Sequence, residues 1–345
     1  MIDKNIYNSI LSQNNFKESS LDTSSLLKMA TREGFGEGLL FLGENNQEVV
    51  ALAADLTESV QMEKFKETFP NRFFEIGVAE QNLVSVASGM AAIGKLPFAA
   101  SYAAFSPGRN WEQIRTTICY NDRKVVIVGA HAGLSVGPDG GTHQALEDIG
   151  LMRMLPNITV LSPSDSIEAR ELVKLIPKIK GPVYLRLARE KSFVIHDQGY
   201  RPEVGSVDII YTTANIENRN KRVGIISTGP ILYQVLLAAK ELEVEGFSVQ
   251  IMNIHTIKPI DKNKIVEFAK NNNKKILTVE EHQTSGGLGS TISEILSEEY
   301  PSLVRKVGVK DRYGQSGTVE QLYKEYGLDK ESIKEEIKSL VHLYA

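Results

Sequence analysis

The run Val49-Val-Ala-Leu-Ala-Ala-Asp55 carries no polar side chain until it stops at a carboxylate. A strand apolar on both faces is covered by helices on both sides, which is the condition of a parallel sheet. Such strands present chemistry at their carboxyl ends, where Asp55 stands. Outward from this run, strand-like and helix-like text alternates. A helix is predicted over 24–41, weakened near its end by glycines. Helices follow over 80–93, 111–120 and 144–154, with strands over 96–100, 125–128 and 158–161. The capping pattern Ser164-Asp-Ser-Ile-Glu168 opens another helix, and 183–186 reads as a strand. Strands alternating with helices imply right-handed crossovers in a parallel sheet.

Residues 196–220 lose the period and turn polar and Asn-rich, as a linker does. The alternation then restarts, with strands over 223–227, 248–254, 275–279 and 303–309. Helices are predicted over 232–242 and 262–270, and a third from the Gly286-Gly-Leu-Gly289 loop to about 296. The expected fold is α/β with two domains, each a mainly parallel twisted sheet flanked by helices. The expected divisions are an extension over 1–20, a first domain over 21–195, a linker over 196–220 and a second domain over 221–345. A chain of 345 residues suits about two domains.

The 39 basic and 43 acidic residues leave a net charge of −4, which sets aside a nucleic-acid binder. The single cysteine, Cys119, excludes an internal disulfide and a cysteine-based zinc site. The polar amino terminus has no signal-peptide run, and no stretch approaches the roughly 18 apolar residues of a membrane helix. A soluble cytoplasmic protein, with no membrane partner, is the expectation.

Four stretches carry chemistry. In Gly77-Val-Ala-Glu-Gln81, Glu80 sits early in a helix among small apolar residues, where a carboxylate is costly unless exposed or partnered. An exposed first-turn glutamate, favoured by the helix dipole, is the plainer reading of that residue alone. The loop 133–143 holds four glycines and offers Asp139, Thr142 and His143; His143 suits proton transfer near neutral pH. His131 follows the strand 125–128. Tyr102 and Phe105 stand beyond a strand, spaced to stack on a planar ring, although core packing is commoner. Arg186 and Arg189, at the end of a strand, suit a phosphate or carboxylate, with surface ion pairing as the alternative.

Glu80 with its neighbours, the aromatic segment 102–105, the Asp139-Gly-Gly-Thr-His-Gln144 loop and Arg189 occur in the order found in the transketolase family. From about residue 24 the chain resembles the carboxyl-terminal half of a transketolase, its thiamine-diphosphate pyrimidine-binding domain plus its carboxyl-terminal domain. The resemblance implies that Glu80 hydrogen-bonds the cofactor's aminopyrimidine and promotes the tautomer that takes the thiazolium C2 proton. It implies that Tyr102 and Phe105 stack on the cofactor and that Asp55 lies near it. It makes His131 and His143 the groups that contact substrate oxygens and move protons, and Asp139 the reader of a sugar hydroxyl. Arg32, Ser59 and Arg189 match positions that hold the substrate phosphate, with Arg186 beside them.

Two departures stand out. Gly141 replaces the family's usual proline, which implies a more mobile loop. The text Phe105-Ser-Pro-Gly-Arg109 is about one residue shorter than usual, so a further stacking aromatic is not placed. The family's Gly-Asp-Gly, whose oxygens hold Mg²⁺ and the diphosphate, is absent. The resemblance therefore implies one subunit of a split enzyme that acts on sugar phosphates. The amino-terminal transketolase subunit would supply the Mg²⁺ and diphosphate site, in an α₂β₂ assembly. The segments 255–261 and 280–289 also resemble deoxyxylulose-phosphate synthases and 2-oxoacid dehydrogenase β subunits, which keeps another acyloin-forming enzyme as the alternative. A non-catalytic subunit that kept the fold is the reading from outside enzymology.

Overall fold

The computed structural model describes residues 27–213 and 221–342. The expected extension 1–20 and the Asn-rich part of the expected linker lie outside the described residues. The first domain runs through β1 (Lys28–Met29), α1 (Thr31–Asn45), β2 (Val49–Ala53), α2 (Glu63–Thr68), β3 (Phe73–Glu75), α3 (Glu80–Ala92), β4 (Leu96–Tyr102) and β5 (Val126–Ala130). It continues through α4 (Asp148–Arg153), β6 (Thr159–Leu161), α5 (Ser166–Leu175), β7 (Val183–Arg186) and β8 (Ser192–Phe193). The second comprises β9 (Asp208–Thr212), β10 (Arg222–Ser227), α6 (Leu232–Val244), β11 (Ser248–Asn253), β12 (Thr256–Lys258), α7 (Lys262–Asn271) and β13 (Lys275–Gln283). It closes with α8 (Leu288–Glu299), β14 (Leu303–Val309), α9 (Val319–Tyr326) and α10 (Lys330–His342).

The strand that decides the fold is buried throughout. Val49, Ala51 and Ala53 enter one core with Phe35, Leu39 and Leu172, while Val50, Leu52 and Ala54 enter another with Leu83, Ile118 and Ile127. Alternate side chains thus feed opposite faces of one sheet, as a doubly covered strand requires. That sheet has the order β12-β6-β7-β5-β4-β2-β3, and only its edge pair β12–β6 is antiparallel. The second sheet has the order β14-β13-β10-β11-β9, with β9 antiparallel at its edge. Both domains are therefore mostly parallel α/β layers, as expected.

Several details differ from expectation. The first helix begins at Thr31, after the short strand β1, and runs on to Asn45. Its glycines are contacts: a Cβ on Gly34 would stand 1.9 Å from the Ser166 carbonyl oxygen, so α1 rests directly on α5. The expected helix over 144–154 shortens to α4, because Gln144 spends its amide on loop carbonyls. The helix over 111–120 turns π-helical at Ile114–Cys119. The expected linker contains β9, which pairs with β11. Helices α9 and α10 were not foreseen, and their apolar faces join the second core. Strand β12, from second-domain sequence, joins the first sheet. Among the described residues no helix is long and apolar enough to cross a membrane.

Candidate active site

The carboxyl ends of β2, β4, β5 and β7 converge on one edge of the first sheet. Past β2 the chain turns at Asp55, exposed and at φ 58°. Glu75, at the end of β3, holds this turn by accepting from the Asp55 amide (2.6 Å), Thr57 Oγ1 (3.0 Å) and the Gly77 amide (3.1 Å). Gly77, at φ 79°, then admits the chain into α3.

Glu80 is the first residue of α3 and only 3% exposed. The plainer reading of an exposed glutamate is therefore wrong. Its carboxylate lies in the positive field of the helix start and accepts from Arg109 Nη1 at 3.3 and 3.2 Å. The Arg109 guanidinium also covers the Phe105 ring at 4.2 Å. The Glu80 carbonyl accepts from Asn110 Nδ2, which also donates to Ser106 Oγ. Arg109 and Asn110 thus tie the aromatic segment to α3. Their signal in the sequence was only their place, one helical turn past Phe105.

Four rings gather beside this carboxylate. Tyr102, ending β4, stacks on Phe105 (6.0 Å, 21°) and on His131 (3.8 Å, 23°). His143 stands edge-on to Tyr102 at 6.2 Å and to Phe105 at 5.4 Å. The two histidines differ in kind. His131 is buried, and its Nδ1 meets no partner among the described residues. Burial, helped by the positive charges of Arg32 and Arg189 and by His143, pushes its ring down to about 3. Its ring is neutral at ordinary pH, which suits a hydrogen-bonding group. His143 is more open, with Nδ1 2.9 Å from Thr142 Oγ1.

A second group borders the rings. Arg189 Nη1 donates to the Val136 carbonyl (2.7 Å) and to Asp139 Oδ1 (3.3 Å). Arg32 Nε donates to the Arg189 carbonyl (3.0 Å), and its Nη1 to the Ser59 carbonyl (2.7 Å). The structure thus joins Arg32, Ser59, Arg189 and Asp139 in one network. Arg186 is not part of it. It is buried, with Nε on Asp148 Oδ2 (2.8 Å) and Nη2 on the Glu281 carbonyl (2.8 Å), and these partners hold its charge firmly. Arg186 braces the seam between domains, apart from the group that the sequence placed it with. Gly141 is also other than expected. A Cβ there would lie 2.6 Å from the Gly314 carbonyl oxygen, so the loop is packed where mobility was predicted.

Residues 27–193 match the transketolase pyrimidine binding domain, and residues 212–333 the transketolase C-terminal domain. A relative named putative transketolase C-terminal section, from Methanocaldococcus jannaschii, is 38% identical over 89% of this chain and 94% of its own length. Human transketolase is 32% identical over 91% of this chain but only 49% of its own. A solved structure described as split gene transketolase, inactive beta4 tetramer, matches with a TM-score of 0.81 at 39% identity, covering 91% of this chain and 98% of that one.

Proposed function

This chain belongs to the transketolase family, and from that premise we propose that it is the carboxyl-terminal subunit of a split transketolase. It would move a two-carbon ketol unit reversibly from a ketose phosphate to an aldose phosphate, in the cytoplasm. The family implies dependence on thiamine diphosphate, and the residues present fit one half of that cofactor. A buried carboxylate at a helix start, an aromatic shelf and an orphaned buried imidazole nitrogen suit the aminopyrimidine. The hard oxygen donors that a diphosphate and its Mg²⁺ require have no counterpart in the Gly-Asp-Gly sense. The partner subunit would supply them, in an α₂β₂ complex. The same division agrees with the 38%-identical relative, whose name is that of a section.

The cofactor, once bound, supplies the carbon nucleophile and electron sink. The protein's contributions follow from its side chains. Glu80, buried at the start of α3, would hydrogen-bond a nitrogen of the cofactor's aminopyrimidine. Tyr102 and Phe105 would supply the aromatic surface against which the pyrimidine packs. His131, neutral and fixed by stacking, donates to or accepts from one sugar oxygen. His143, more exposed, takes and returns the hydroxyl proton whose loss accompanies carbon–carbon cleavage. Asp139 reads a hydroxyl, and Arg189 with Arg32 anchors the phosphate at the far end.

The single observation that carries this reading is Glu80 buried beside the four-ring cluster. Calorimetric titration of thiamine diphosphate with Mg²⁺ tests it, first into the chain alone and then into its mixture with a partner that carries Gly-Asp-Gly. A ketol-transfer assay with xylulose 5-phosphate and ribose 5-phosphate completes the test. Silence from the chain alone, with binding and transfer by the mixture, is expected. Tight binding by the chain alone would overturn the split reading. Binding without transfer would pass the substrate assignment to the acyloin-forming alternative.

A further inference from the structure

The loop that carries Asp139 and His143 is held from the other domain. Glu280 and Glu281 are consecutive buried carboxylates on β13, so they point to opposite faces. Glu280 turns into its own domain and accepts from the Leu288 and Gly289 amides, both at 2.7 Å, at the start of α8. Glu281 turns out of it. One of its oxygens accepts from the Ser135 amide. The other accepts from Ser135 Oγ and from Tyr323 Oη of α9, each at 3.2 Å.

The fit around this contact is close. Gly133, at φ 85°, leaves no room for a Cβ, which would lie 2.6 Å from the Glu281 carboxylate. Further along, Gln144 Nε2 donates to the carbonyls of Leu134, Gly137 and Gln315. A Cβ on Gly140 would stand 2.7 Å from Ser316 Oγ. The loop is therefore clasped at its root by Glu281 and along its length by 314–316.

We propose that Glu281 is a positioning residue for sugar binding: through Ser135 it fixes the loop that presents Asp139 and His143, so the second domain sets the geometry of the substrate site. This rests on the ketol-transfer reading above. A buried carboxylate that accepts three donors leaves those donors unmatched when it is removed. Glutamine, with one carbonyl oxygen and a similar shape, can still accept from the Ser135 amide.

Two readouts on the complex with the partner subunit test the proposal. In Glu281→Ala, hydrogen exchange of the 134–143 amides rises about tenfold or more while the amides of β5 stay protected. The KM for the ketose phosphate rises by roughly tenfold, with thiamine diphosphate affinity within about twofold. Glu281→Gln restores most of both. Glu280→Gln lowers Tm and leaves KM in place. Should Glu281→Ala fail to assemble, Tyr323→Phe removes one donor and gives the same pattern at about two- to threefold. Unchanged exchange, or loosened exchange with an unchanged KM, overturns the proposal. A loss that Glu281→Gln does not rescue overturns it as well. A wild-type complex that transfers no ketol unit overturns the functional reading instead, and the exchange experiment still decides whether Glu281 holds the loop.

Discussion

The two parallel sheets of this chain use their carboxyl edges in opposite ways. In the first domain that edge carries the proposed substrate site: Asp55, Tyr102, His131 and Arg189 stand at or just past strand ends. In the second it is closed against its neighbour. Thr228, past β10, donates to the Ser162 carbonyl at 3.2 Å, and Asn253, ending β11, donates to Glu168 at 2.9 Å. Glu281 and Gln283 on β13 reach Ser135 and the Leu146 carbonyl. The crevice where α/β sheets usually take ligands is here filled with protein. Mostly parallel α/β sheets thus serve as a proposed site in one domain and as a joint in the other, according to which polar groups end their strands.

If the contrast holds, changes at the first domain's edge cost catalysis and changes at the closed edge cost stability. The largest effect is expected from Glu80→Gln. Ketol transfer by the complex should fall about a hundred- to ten-thousandfold, with the thermal midpoint little changed. Turnover near wild type would place Glu80 outside the chemistry. Next is Arg189→Ala, whose lost charge-assisted bonds to the substrate phosphate should raise KM for phosphorylated sugars by roughly ten- to a hundredfold. Steady-state kinetics with phosphorylated and unphosphorylated donors check it, since the unphosphorylated donor should be nearly indifferent.

Where the edges meet, Gly141→Ala must displace the Gly314 carbonyl. The expected loss is about 1–3 kcal/mol of stability, read from chemical denaturation. The smallest effect concerns the seam alone. Burial opposes a charge on His196, but Asp165, 2.9 Å away, and Glu168 outweigh it and push the ring up from 6.5 to about 9. A raised folded value means stability that is fully present below about 6.5 and lost as the pH climbs through about 9. Thermal midpoints should therefore decline over that window, and His196→Gln should flatten the decline. Equal slopes in both proteins would remove His196 from the balance.

The sequence was legible where one residue type has one physical meaning. Val49 to Asp55 could only be a doubly covered strand, and the candidate residues Tyr102, His131 and Arg189 stand at or just past the ends of such strands. It was opaque where meaning depends on a distant partner. Arg186 looks the same in the text whether it meets a phosphate or Asp148. The glycines of α1 read as weakness, because Ser166 lies far off in sequence. Glu280 and Glu281 are adjacent letters, and only the pleat of β13 sends one inward and the other to the loop.

Strand β12 bears on how separable these domains are. Its three residues leave the second domain's run of sequence to cover the edge strand β6 of the first sheet. A fragment ending near residue 195 would lack that cover and expose unpaired backbone on β6, a template for association with other chains. The two halves are therefore not interchangeable parts. A chimaera that grafts this first domain onto another second domain must bring residues 256–258 along, or accept an insoluble product.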